Sequence, residues 1–131
     1  DNWLTLNFPI NPVKAVNLTY DFKKTLGATP TETYSGSNYV LLLFDSEEVI
    51  KNITPNFNEM LKWDTVAIVV SAKGNEYDFV SRVFAPAVGI NEDQVTGSAH
   101  TRLIPFWSKR LKKTEMIACP VLKKVYRFNL K

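Results

Sequence analysis

The run Thr65 to Leu111, "TVAIVVSAKGNEYDFVSRVFAPAVGINEDQVTGSAHTRLIPFWSKRL", changes its hydrophobic pattern along its length, and those changes decide the fold class. Thr65 to Ser71 is a continuous apolar, β-branched run, which predicts a strand buried on both faces. Lys73-Gly74-Asn75 turns the chain, and Tyr77 to Phe84 returns as the expected strand partner, since consecutive strands are usually neighbours. Beyond the loop, Ala99, Leu103, Phe106, Trp107 and Leu111 recur at helical spacing. Pro105 falls inside that helix, where a kink is expected.

Working outward, Trp3 to Phe8 alternates as a half-buried strand does before Pro9 and Pro12 end it. Val16, Tyr20 and Phe22 to Leu26 form a broken helical stripe closed by Gly27. Thr31 to Tyr34 and Tyr39 to Phe44 predict a hairpin around Ser35-Gly36-Ser37-Asn38. Asp45-Ser46-Glu47-Glu48 resembles a capping box, with Asp45 as N-cap of a short helix through Ile50. A second short helix is expected over Phe57 to Trp63, and strands over Thr114 to Cys119 and Val125 to Leu130. Strands and helices mixed without regular βαβ alternation predict a single α+β domain, residues 1–131, whose sheet wraps an apolar helix.

Composition narrows the function classes. The 131 residues are 45% apolar and 22% charged, enough to bury one core, and no run approaches the roughly 18 apolar residues of a membrane span. No signal-peptide pattern opens the chain, so a cytoplasmic location is the expectation. One cysteine, Cys119, and one histidine, His100, leave no zinc-type spacing, and no metal is expected. From Ser108 onward eight basic residues face only Glu115, which makes the tail +7 and the rest −4. These bases interleave with apolar residues and no nucleic-acid-reading motif accompanies them, so they read as solvated faces of packed elements.

"GINEDQVTGSAH", Gly89 to His100, gathers two acids, a Thr-Gly-Ser turn and the histidine just where the apolar helix begins. A helix N-terminus leaves backbone N–H groups unpaired and carries about half a positive charge, so Gly97, Ser98 and Ala99 can cradle a carboxylate or phosphate. Thr96 and Ser98 can add hydroxyl donors, and Asp93 can accept a hydrogen bond or relay a proton. Most stretches of this kind have a purely structural role, with Asp93 or Thr96 capping the helix, Glu92 solvated and His100 a packing or surface residue.

Tyr77 to Leu111 resembles the phenazine-biosynthesis PhzF family, in which D-F-x-S-R-x-F-A-P leads to G-x-x-E-D-P-V-T-G-S-A-H and a helix containing P-Y-W. Asp78, Phe79, Ser81, Arg82, Phe84, Ala85 and Pro86 fit the first part, Gly89, Glu92, Asp93 and Val95 to His100 the second, and Pro105 and Trp107 the third. An opening strand ending in Phe-Pro, "LGATP", "NYVLLLF" and "NITPNF" extend the likeness over most of the chain. The resemblance implies a diaminopimelate epimerase-like fold: two α+β halves, each a mixed, mostly antiparallel sheet curled around a central helix, with the active site between them. It also implies a proton-transfer isomerase that shifts a double bond in a dihydro-hydroxyanthranilate with no cofactor. By motif, Asp93 and Ser98 match substrate-contacting and proton-relay positions, while Thr96, Gly97 and Ala99 fall in the carboxylate cradle; Glu92 and His100 are further candidates.

The chain departs from the family pattern at Gln94, where proline is usual, and at Thr101-Arg102, where a more apolar pair is usual. It also lacks the N-L-x-E-T type motif and the G-H-P loop of the N-terminal half, which carries the general-base glutamate. Glu47, in "DSEEV", does not match that context. The expectation is therefore a C-terminal half that opens with Asp1 as a fragment would, and whose base lies on another segment or another chain. The partners expected are a small carboxylate-bearing substrate and either that missing half or a second copy. The alternative is a non-catalytic binding or dimerisation module that keeps the fold.

Overall fold

The computed structural model describes residues 13–93 and 103–118 in full, and residues 3–6, 97–102, 119–120 and 126–130 by their backbone elements alone. In chain order these are β1 (Trp3–Leu6), β2 (Lys14–Ala15), α1 (Phe22–Leu26), β3 (Glu32–Gly36), β4 (Tyr39–Leu43), α2 (Glu47–Asn52) and α3 (Phe57–Met60). There follow β5 (Ala67–Lys73), β6 (Phe79–Ala85), a 3-10 turn (Pro86–Val88), β7 (Ile90–Asp93), α4 (Gly97–Leu111), β8 (Glu115–Pro120) and β9 (Tyr126–Leu130). Among the described residues the strands form one nine-stranded sheet in the order β1-β9-β8-β6-β5-β4-β3-β2, with β7 also paired to β6. The α+β reading and the mixed, mostly antiparallel sheet hold: β4–β5, β6–β8 and β1–β9 are parallel and the other pairs antiparallel.

A parallel pair needs a crossover, and the crossovers put helices on the sheet's two faces. Between β4 and β5 the chain passes through α2 and α3; between β6 and β8 it passes through β7 and α4. Strand alternation then divides the interior in two. Val40, Leu42, Phe44, Ile68, Val70, Val80 and Phe84 pack with Leu26, Ile50, Met60 and Trp63 of the α1–α3 layer. Tyr39, Leu41, Leu43, Val69, Phe79 and Val83 pack against Leu103, Ile104 and Trp107 of α4. That is why "YVLLL" is buried at every position. A sheet covered on both faces needs no polar side, and each fully buried Leu or Val contributes about 1.5–3 kcal/mol.

Several element boundaries differ from expectation. The helix predicted over Val16 to Leu26 is only Phe22–Leu26, capped by Asp21: Val16 instead extends the Lys14–Ala15 edge strand by bonding to Thr33 through its N–H and its carbonyl. The hairpin turn is shorter than predicted, with Gly36 still paired to Tyr39 and Asn38 in the left-handed region at φ 65°. Ser46, not Asp45, caps α2: its backbone is extended and its hydroxyl accepts from Val49 N. The helix predicted over Phe57 to Trp63 is regular only to Met60. α4 runs from Gly97 to Leu111 with Pro105 inside it.

Candidate functional site

The strand "FVSRVFA" carries one charged residue among apolar ones, and that arginine organises the region. Arg82 donates from Nε and Nη2 to the two carboxylate oxygens of Glu92 at 2.9 and 2.8 Å. Its Nη1 donates to the carbonyls of Ile50 and Ile53, at the end of α2, at 3.1 and 2.9 Å. The side chain is 9% exposed and the guanidinium lies over the Phe84 ring. Bidentate geometry and two further acceptors satisfy a charge that would otherwise be costly to bury. Glu92 is therefore not solvated; it is half of a structural pair.

β7 reaches this arrangement through an irregular register with β6. Ile90 opposes Ala85 and Asp93 opposes Val83, so Asn91 and Glu92 together oppose Phe84, the geometry of a β-bulge. Gly89, at φ 84°, supplies the left-handed turn that feeds the chain into β7. Directly opposed residues of an antiparallel pair share a face. Asp93 thus shares the face of Val83, which packs against α4, whereas Glu92 lies with Arg82 on the α2 side. Two adjacent carboxylates are sent to opposite faces of the sheet.

Asp93, partly buried, ends β7, and α4 starts at Gly97. Gly97, Ser98, Ala99 and His100 form the first turn of α4, so the unpaired amides expected there belong to the residues the sequence pointed to. The side chains of Ser98, Ala99 and His100 lie outside the described residues, as does Thr96 altogether. Asp93 therefore ends β7 four positions before α4 begins and faces the α4 side of the sheet, whereas Glu92 faces α2. Among the described residues no group of three or more His, Cys, Asp or Glu is placed to hold a metal ion.

Other residues of the motif hold the frame. Trp107 Nε1 donates to Ser71 Oγ at 3.0 Å, and Ser71 Oγ donates to the Val80 carbonyl at 2.7 Å, which ties α4 to β5 and β6 across the sheet. Asp78 accepts from Ile117 N at 2.7 Å and from Lys113 Nζ at 2.6 Å, joining the start of β6 to β8. Glu47 accepts from the Asn75 backbone N–H and pairs with Lys51, contacts that hold its carboxyl below the usual glutamate range. An open groove of about 500 Å³ is lined by residues including Asn56, Phe57, Leu61, Pro86 and Asn91, and among the described residues neither Glu92 nor Asp93 lines it.

Sequence reasoning missed the role of Arg82. The available signal was a lone arginine inside an apolar strand, followed ten positions later by an acid.

A family model described as phenazine biosynthesis-like protein matches residues 7–125. The chain belongs to this family. It is 39% identical over 118 residues to a Pseudomonas aeruginosa protein named as an uncharacterized isomerase, covering 90% of this chain and 45% of that protein. A Halalkalibacterium halodurans protein of the same description is 42% identical over 120 residues, covering 88% of this chain and 45% of the relative. The crystal structure of a putative phenazine biosynthesis PhzC/PhzF protein from Clostridium difficile superposes with a TM-score of 0.80 at 36% identity, over 92% of this chain and 46% of that one. This phenazine biosynthesis-like chain thus has the diaminopimelate epimerase-like fold and spans just under half the length of these relatives. Among its described residues no helix is long and apolar enough to cross a membrane.

Proposed function

We propose that this chain is the C-terminal half of a PhzF-like isomerase, which moves a proton to shift a double bond in a small carboxylate substrate without a cofactor. The observation that carries this reading is the placement of Asp93 on the α4 face of the sheet, immediately before the helix that opens with Gly97 and Ser98. In it, the amides of Gly97, Ser98 and Ala99 hold the substrate carboxylate, Thr96 adds a hydroxyl, and Asp93 with Ser98 contacts and relays the proton. His100, the fourth residue of that helix, is a further candidate in this reading. The carbon acid also needs a base; Glu92 is engaged with Arg82, and Glu47, whose context does not match the motif, is engaged with Asn75 and Lys51. In this proposal the base comes from another segment or another chain, in a cytoplasmic assembly with an N-terminal half or a second copy.

The test is deuterium incorporation from D2O into a dihydro-hydroxyanthranilate by the assembly isolated from its source, with its native mass measured alongside. Asp93→Asn and Ser98→Ala are each expected to slow incorporation by about 100-fold or more. Unchanged rates in both variants would remove these residues from the chemistry. A native mass of this chain alone, with no incorporation, would favour the second reading, a binding or dimerisation module, which the engagement of Glu47 and Glu92 also suits.

A further inference from the structure

The proposed role of Asp93 depends on which of two neighbouring acids faces α4, and sequence alone does not settle that. Starting from the Ile90–Ala85 pair, a regular antiparallel ladder would place Asn91 opposite Phe84, Glu92 opposite Val83 and Asp93 opposite Arg82. A one-residue change of register flips every side chain to the other face. In the regular ladder, therefore, Glu92 would point to α4 and Asp93 would meet the guanidinium. The observed bulge does the reverse, putting Asp93 opposite Val83 and leaving Glu92 to Arg82.

We propose that Arg82 is a positioning residue: by clamping Glu92 with both prongs of its fork, it selects the bulged register of β7 that turns Asp93 toward α4. Three observations support this. Four of the five N–H donors are engaged, since Nε and Nη2 donate to the two Glu92 oxygens while Nη1 donates to the carbonyls of Ile50 and Ile53. Besides its pair with Glu92, the guanidinium is tied through Nη1 to the carbonyls at the end of α2, which gives it a hold independent of β7 against which β7 registers. It is also nearly buried, which makes an unpaired state costly and leaves whichever carboxylate lies opposite as its partner. Glutamate, one methylene longer than aspartate, reaches the fork from the bulged position. The inference builds on the reading of Asp93 as a site residue but concerns its orientation only.

The experiment is an NMR comparison of the folded chain with Glu92→Ala, which removes the preferred partner and leaves Asp93 as the neighbouring carboxylate. The wild type should show cross-strand contacts between the Val83 and Asp93 backbones. In Glu92→Ala these should be lost and replaced by contacts between Arg82 and Asp93, with a changed Asp93 carboxyl carbon shift. A merely structural ion pair would lower stability yet leave Val83–Asp93 contacts in place, and that result would overturn the proposal. Where Glu92→Ala does not fold, Glu92→Gln is read instead: a second set of Asp93 resonances is expected, and a single set at wild-type positions overturns the proposal. Neither measurement depends on catalysis, so the register claim and the exchange-based test of Asp93 fail separately.

Discussion

Ser71 has a single hydroxyl that accepts from the Trp107 indole and donates to the Val80 carbonyl, and it is fully buried. Ser71→Ala leaves the indole N–H without this acceptor in a dry interior. It is expected to cost about 1–3 kcal/mol, read as a lower urea midpoint at unchanged slope. Trp107 would also lose part of what holds it in stacked contact with Phe79, at 5.8 Å between ring centroids. At this scale the sequence was only partly legible. Trp107 was correctly placed on the apolar helix, but its partner lies 36 positions away and has no local signature. Arg82 and Glu92 were recognised as motif positions, and what they do emerges only from the pairing of β6 with β7.

Gly27 shows how an element ends. It sits at φ 79°, and its N–H donates to the Lys23 carbonyl, the left-handed cap that stops α1. A methyl group there would also lie 2.7 Å from Thr54 Oγ1, where Thr54 N meets the Leu26 carbonyl. Gly27→Ala is expected to cost more than the roughly 1–2 kcal/mol of a left-handed non-glycine residue. In a Thr54→Ala background the excess should shrink while the backbone part remains; thermal unfolding of the four-member cycle separates the two. The glycine stop was legible because helix termination is a local matter of backbone conformation. The start of α1 was not: Val16, read as the first residue of the helical stripe, is bonded to Thr33 of β3 instead, a choice made by a neighbour that periodicity does not contain. The shift of the α2 cap from Asp45 to Ser46 is of the same kind, since both residues suit the role and only the entry angle of the chain chooses.

Across the whole molecule, acids tie separate parts together. Arg110 and Tyr34 hydrogen-bond Glu32 and hold its carboxyl below the usual range, linking β3 to α4; Asn75 and Lys51 do the same for Glu47, linking α2 to the β5–β6 turn. A carboxyl lowered in the folded state adds stability above its unfolded value, and that stability is lost as pH falls through the folded value. Stability should therefore decline from about pH 4.3 downward. Glu47→Gln should be less stable than wild type at pH 7, and the gap should narrow by pH 3, compared by urea unfolding.

The tail illustrates the division between sequence and structure. Arg110 and Lys113, two of its eight bases, were read as part of a solvated face, and each also pairs with an acid distant in sequence, Glu32 and Asp78. Runs of β-branched residues, the helical spacing from Ala99 to Leu111 and the glycine stops are consequences of local sterics and burial, so the sequence by itself determined the α+β class, most of the elements and the family. The motif likewise located the junction between Asp93 and the helix. Which carboxylate faces that helix was decided only in the tertiary structure. Facing direction follows the register between β6 and β7, and that register answers to a guanidinium anchored on α2, more than thirty positions earlier in the chain than Glu92.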